Sequence, residues 1–205
     1  SPGMTTVDDE LAKGLAMEAL INCTNKMIAR ASDERADLAA INAALVQARS
    51  AAVEASEHAR AAAEAIEAAD GGEGQARLAR NATEAEEREA AAKEQVQQIE
   101  QALAEKAMAV SEADNLRDAH FITVYRSFVE LLNPQLQADE GGMKDEHGES
   151  EHAPWVGAAL GSLRAFTRFY FVNVAPVASE LKDEVLAEGS VHPMLRSTVL
   201  ASLQV

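Results

Sequence analysis

The chain has 205 residues, and its 34 acidic side chains outnumber 18 basic ones, which gives a net charge of −16. A surface this acidic repels phosphate, which argues against sequence-independent nucleic-acid binding. A single cysteine excludes an internal disulfide, and no apolar run is long enough to span a bilayer. We therefore expect an intracellular, soluble protein without direct membrane contact.

The N-terminal residues predict a helix that feeds into a longer one. Residues 1–3 resemble the remnant of a cleaved tag and are excluded from the fold prediction. Asp8 or Asp9 can cap a first base helix, predicted over residues 4–30, because a carboxylate accepts hydrogen bonds from the first free backbone N–H groups. Its apolar face continues into the next segment without a break.

Residues 31–115 carry two ladders of mostly apolar side chains at alternating steps of three and four residues, the spacing of a coiled-coil seam. The first ladder consists of Leu38, Ile41, Leu45, Ala48, Ala52, Ala55, Ala59, Ala62 and Ile66. The second consists of Leu78, Ala82, Ala85, Glu89, Ala92, Val96, Ile99, Leu103, Lys106, Val110 and Ala113.

The ladders mirror each other across a glycine-rich turn predicted at residues 70–74. Folding about Gly72 pairs Ile66 with Leu78, and Leu45 with Ile99. The segment is therefore predicted to be an alanine-rich antiparallel hairpin. The polar ladder residues Glu89 and Lys106 are interpreted as devices that fix its register, because polar groups in a seam trade stability for alignment.

The rest of the chain predicts a compact helical base. All eight aromatic residues lie between Phe121 and Phe171. A second base helix is predicted over 116–136, limited by Asn133-Pro134, then a flexible acidic loop over 137–153 and C-terminal helices over 154–205. No segment alternates with period two. We therefore expect an all-α fold, in which a long antiparallel coiled-coil hairpin projects from a small helical base.

No residue pattern indicates catalysis. The glycines at 71, 72 and 74 follow a predicted helix rather than a strand, so they indicate a turn and not a phosphate-binding loop. His147 and His152 match no zinc-ligand spacing. We expect a non-enzymatic protein with no catalytic residues, no cofactor and no metal ligands.

One segment suggests a partner-binding site. Arg164 and Arg168 lie one helical turn apart, close to Tyr170, and the three residues form a candidate basic and aromatic stripe for a partner protein. The alternative is that the arginines are ordinary solvent-exposed residues on the polar face of an amphipathic helix. The sequence leaves both interpretations open.

Four stretches together resemble a known family. They run from Leu15 to Met27, from Leu116 to Leu132, from Pro154 through the helix to Tyr170, and from His192 to Leu195. Their order resembles the C-terminal region of the large subunit of the nuclear cap-binding complex. In that family a long antiparallel coiled coil interrupts the third HEAT-like repeat of the middle domain.

The resemblance implies a scaffold segment with a HEAT-like base, belonging to a longer chain. Its partners would be a small cap-binding subunit with an RNA-recognition motif and other proteins of mRNA processing, splicing and export. Because the small subunit stacks the cap between aromatic rings, RNA contact would be indirect and this segment would not bind the cap. The implied location is the nucleus, with shuttling to the cytoplasm. The alternative is a structural coiled-coil spacer or tether unrelated to cap binding.

Overall fold

The computed structural model describes residues 2–69, 71–72, 74–140 and 154–174, together with Leu195 and Ser197. These residues form three α-helices, α1 (Pro2–Ala68), α2 (Gln75–Glu140) and α3 (Pro154–Phe169), and a π-helical turn over Tyr170–Val174. No strand occurs among them. The predicted all-α fold with a long helical hairpin is confirmed, whereas the HEAT-like character of the base stays a prediction.

The chain divides into two compact units. The hairpin unit comprises Ala31–Ala113, and the core unit combines Ser1–Arg30 with Asp114–Val205. Each unit therefore contains one part of α1 and one part of α2. The hairpin had been predicted over 31–115.

The side chains protected from solvent in the hairpin unit follow the two ladders. All nine ladder positions on α1 and all eleven on α2 are buried or half-buried. Among the other described residues of this unit, only Ala31, Glu34, Ser56, Ala69 and Ala109 are not exposed. Because alanines fill most of the buried positions, the seam depends on small side chains that let two helix backbones approach closely.

Polar contacts cross the seam between the two arms. The Lys106 ammonium donates to Glu34 at 2.9 Å and to Asp37 at 3.2 Å, and Ser56 Oγ donates to Glu89 Oε1 at 2.9 Å. The Lys106 contacts join the start of the first arm with the end of the second arm. The contact between Ser56 and Glu89 joins residues closer to the turn on both arms. Only an antiparallel hairpin produces this pattern, and the pairs lie close to the predicted register.

These contacts stabilise the charged forms of both ladder residues. Hydrogen bonds, first from Lys93 and then from Ser56, lower the pKa of Glu89 below its usual 4.5. Hydrogen bonds to Glu34 and then Asp37 raise the pKa of Lys106 above its usual 10.5. Both side chains therefore stay ionised near neutral pH. The partners of Lys106 lie on the other arm, whereas Lys93, the first partner of Glu89, lies on the same helix and only Ser56 lies across the seam. Their role as register devices stays a prediction, now with named partners.

The hairpin turn lies between Ala68 and Gln75. Gly71 adopts a left-handed φ of 62°, which a residue with a Cβ adopts only at a steric cost. The backbone N–H groups of Gln75 and Leu78 donate to the carbonyl oxygens of Gly72 and Gly74, both at 3.0 Å, and these bonds begin α2. The glycines thus both reverse the chain and supply carbonyl acceptors for the first turn of the second arm.

In the core unit, α2 continues beyond its predicted end. Asn133-Pro134 was expected to limit the helix, but Pro134 lies inside α2, which extends to Glu140. A proline removes one backbone hydrogen bond, and the flanking Leu132 and Leu136 are almost fully buried on one side of the helix. Their burial compensates for that loss, so residues 137–140 of the predicted acidic loop are helical.

Other predictions fall partly outside the described residues. Residues 141–153 of the predicted acidic loop and most of residues 175–205 of the predicted C-terminal helices lie outside the described part of the chain. Leu195 and Ser197, from the predicted last helix, are described and are helical. Leu195 belongs to the hydrophobic core together with aromatic residues of α2 and α3.

The antiparallel register can be tested by cross-linking. With Cys23 replaced by alanine, cysteines introduced at Leu45 and Ile99 should form a disulfide within one chain, because the predicted register places these ladder residues opposite each other. Non-reducing electrophoresis and mass spectrometry would identify the product. A disulfide found only between two chains would instead indicate a parallel dimer.

Candidate protein-interaction site

The core unit is organised by a cluster of aromatic rings between α2 and α3. The ring of Phe121 on α2 stacks on Tyr170 at 4.0 Å between centroids and on Phe166 at 5.1 Å, and it meets Phe171 edge-on at 5.4 Å. Such pairs add attraction beyond the burial of apolar area. Tyr170 and Phe171, the first two residues of the π-helical turn, are both buried in this cluster.

A polar network surrounds the edge of this cluster. Arg117, whose side chain is only 5% exposed, donates to Asp114 at 3.1 Å and to Asp118 at 3.0 Å. Its Nε also lies 3.3 Å from the hydroxyl oxygen of Tyr170, and that hydroxyl donates to Asp118. A buried guanidinium without partners would be strongly unfavourable. The network satisfies this cation while it fixes the end of α3 against α2.

The network also determines which of these groups can ionise. Burial, followed by the neighbouring carboxylate of Asp118, raises the pKa of Tyr170. Burial alone would lower the pKa of Arg117, but hydrogen bonds to Asp118 and Tyr170 outweigh it and leave the pKa raised. The phenol therefore stays protonated and the guanidinium stays charged. Both groups thus act in the network as fixed hydrogen-bonding partners.

The three predicted partner-binding residues have different surroundings. Arg164 and Arg168 are exposed on α3, as a partner-facing pair requires. Tyr170 is fully buried, so the prediction that it contacts a partner is wrong: its ring is covered by Phe121 and its hydroxyl is engaged by Asp118. Phe169 and Val172 are the large apolar residues near the arginines that do reach the surface, at 46% and 44% exposed.

An apolar cleft of about 370 Å³ opens where α3 meets the first part of α1 and the last part of α2. Met17 and Ile21 of α1, Phe128 and Leu131 of α2, and Trp155 of α3 provide its large apolar side chains. Small residues provide the rest of its wall, and they are Gly14, Ala158, Ala159 and Ser162. The charged side chains of Lys13 and Glu18 complete the lining. The cleft offers contact area for an apolar group rather than convergent reactive groups.

Trp155 and the small residues of this cleft were missed as a site in the sequence. The indole is half-buried, and it forms part of the cleft lining. The available signal is the small size of Gly14 on α1 and of Ala158, Ala159 and Ser162 on α3, because small side chains leave space between packed helices. These small residues can be recognised as the lining of a cleft only when the packing of α1 against α3 is known.

The described residues also limit the chemistry of the site. Within them, no group of three or more His, Cys, Asp or Glu side chains is arranged to hold a metal ion. His147 and His152 lie outside the described part of the chain. None of the described helices combines the length and apolar character needed to cross a membrane.

Comparison with known proteins gives no assignment: no family model, curated protein or solved structure matches this chain.

The polar network makes a measurable contribution to stability. Tyr170→Phe keeps the stacked ring but removes the hydroxyl that connects Asp118 and Arg117, so it should lower the free energy of unfolding by about 1–3 kcal/mol. Asn173→Ala, on the exposed side of the π-helical turn, should change it by less than about 0.5 kcal/mol. Urea denaturation measures both. If the two variants were equally stable, the network would not hold α3 in place.

Proposed function

We propose that this chain is a non-enzymatic scaffold segment of the large subunit of a nuclear mRNA cap-binding complex. It would support a small RNA-recognition subunit and bind other proteins of mRNA processing, and its contact with RNA would be indirect. Partner binding would take place in the nucleus, with shuttling to the cytoplasm. The proposal assigns the chain contact surfaces and no chemical step.

One observation carries the proposal. The core unit is built from two separated stretches, Ser1–Arg30 and Asp114–Val205, and the coiled-coil hairpin Ala31–Ala113 is inserted between them. This matches the resemblance in its order of elements: a helical repeat that a long antiparallel coiled coil interrupts. The stretches that resemble the family fall in the core unit, where a partner subunit would need a stable surface.

The surfaces of the core unit suit protein binding. The cleft is lined mainly by apolar side chains, and exposed arginines and apolar residues occupy the outer side of α3. Protein interfaces combine apolar anchors with arginine in this manner. The buried groups of the polar network are hydrogen-bonded to one another.

A structural spacer or tether is the second candidate function. The hairpin unit supports it, because its protected side chains are arranged along one continuous seam between the two arms. A hairpin that is stabilised internally can hold other components apart without binding a ligand of its own. This function would require no cap-binding subunit.

Binding experiments separate the two candidates. The purified chain should show no binding of a fluorescent cap analogue, because its surface is acidic and a base would need two exposed, facing aromatic rings. In the source cell, the tagged chain should retain a small protein with an RNA-recognition motif. Shortening the tip of the hairpin between Ala59 and Ala85, with the glycine turn kept, should leave that association intact, and deleting 191–205 should weaken it.

Either of two results would reject the cap-binding proposal. Micromolar binding of the cap analogue would contradict indirect contact with RNA. Equal retention of the small subunit by both truncated chains would mean that the core unit does not hold it, and the spacer function would then be favoured.

A further inference from the structure

The segment that forms α3 and its π-helical turn differs in charge from the rest of the chain. Residues 154–174 contain Arg164 and Arg168 and no aspartate or glutamate, although the whole chain has a net charge of −16. Both arginines are exposed. The segment itself therefore carries two positive charges and no negative ones, in contrast to the acidic chain as a whole.

An exposed row of side chains runs along α3 beside these arginines. Its members Ala158, Ser162, Ala165 and Phe169 follow steps of four, three and four residues and are all exposed. This is the spacing that fills the seam of the hairpin, but on α3 the described residues leave the row open to solvent. A helix packed along such a row would have its own residues at matching steps.

The row begins at the apolar cleft. Ala158 and Ser162 line the cleft, and Trp155, one turn before them, forms part of its wall. At its other end the row reaches Phe169, which is 46% exposed. A helix lying along α3 could therefore insert one large apolar side chain into the cleft and cover Phe169 about two turns further on.

We propose that this face of α3 binds an amphipathic helix of a partner protein, with apolar residues at alternating steps of three and four and with aspartate or glutamate beside them. The cleft would receive the largest apolar side chain of that helix. Arg164 and Arg168 would contact its carboxylates, and this charge complementarity selects an acidic partner. The inference rests on the scaffold function proposed above but does not require that the partner belong to a cap-binding complex.

Two designed peptides test the proposal with the full 205-residue chain. Both are 20-residue helices with leucines at alternating steps of three and four; the flanking positions are glutamate in one and lysine in the other. Trp155 is the only tryptophan and lies in the cleft wall, so its fluorescence reports occupancy directly. The glutamate peptide should bind and change this fluorescence, and the lysine peptide should bind about tenfold more weakly or worse.

Charge-reversed variants provide matched controls. The double variant Arg164→Glu with Arg168→Glu should reverse the preference for the two peptides. Arg77→Glu with Arg80→Glu makes the same change of charge at exposed positions in the hairpin and should leave the preference unchanged. Circular dichroism at 222 nm would confirm that both variants fold.

A steric variant tests the cleft independently of charge. Ala158→Leu adds bulk at an exposed position in the cleft wall and should weaken binding of the glutamate peptide about tenfold. Equal binding of both peptides, no binding at millimolar concentration, or concentration-dependent dimerisation through this face would overturn the proposal. None of these outcomes depends on cap binding. The peptide experiment can therefore fail while the proposed cap-binding function stands, and the reverse is also possible.

Discussion

Matched spacing of small side chains on two helices is the constraint on which the hairpin depends. Ala48, Ala59, Ala82 and Ala113 are buried, and nearly every other protected residue of that unit lies on the same two ladders. Alanine has the highest helix propensity and loses no side-chain entropy on burial. Such a seam therefore supports long helices with little apolar bulk, provided that the two ladders stay in register.

Register needs a separate source of specificity, because alanines differ little from one another in shape. The charged ladder residues supply it in our account. Lys106 contacts Glu34 and Asp37 across the seam, so a shift of either arm would take its charge away from both carboxylates. The same shift would remove the hydrogen bond from Ser56 to Glu89, which would keep only Lys93 on its own helix. The core unit is specified differently: large aromatic rings and the network around Arg117 allow few alternative packings.

The sequence was sufficient to predict the elements that depend on periodicity and on glycine. It was not sufficient for the features that depend on how the helices pack against one another. The ladders and the turn follow from spacing alone, and the structure has both. The predicted end of α2 was wrong because the helix continues past Pro134, where the burial of Leu136 compensates for the backbone hydrogen bond that proline removes. Tyr170 was assigned to the partner-facing stripe because of its closeness to the two arginines, whereas it continues the buried stripe of Leu163, Phe166 and Thr167. The cleft arises from three helices, so no single segment could predict it.

The central claim is that the hairpin is stabilised by a close seam of small side chains. Ala59→Leu enlarges a buried seam residue, whereas Ala63→Leu makes the same change at an exposed position on the same helix. We predict that Ala59→Leu lowers the free energy of unfolding of the hairpin unit by about 1–3 kcal/mol, and that Ala63→Leu changes it by less than about 0.5 kcal/mol. Equal effects of the two substitutions would contradict the close seam.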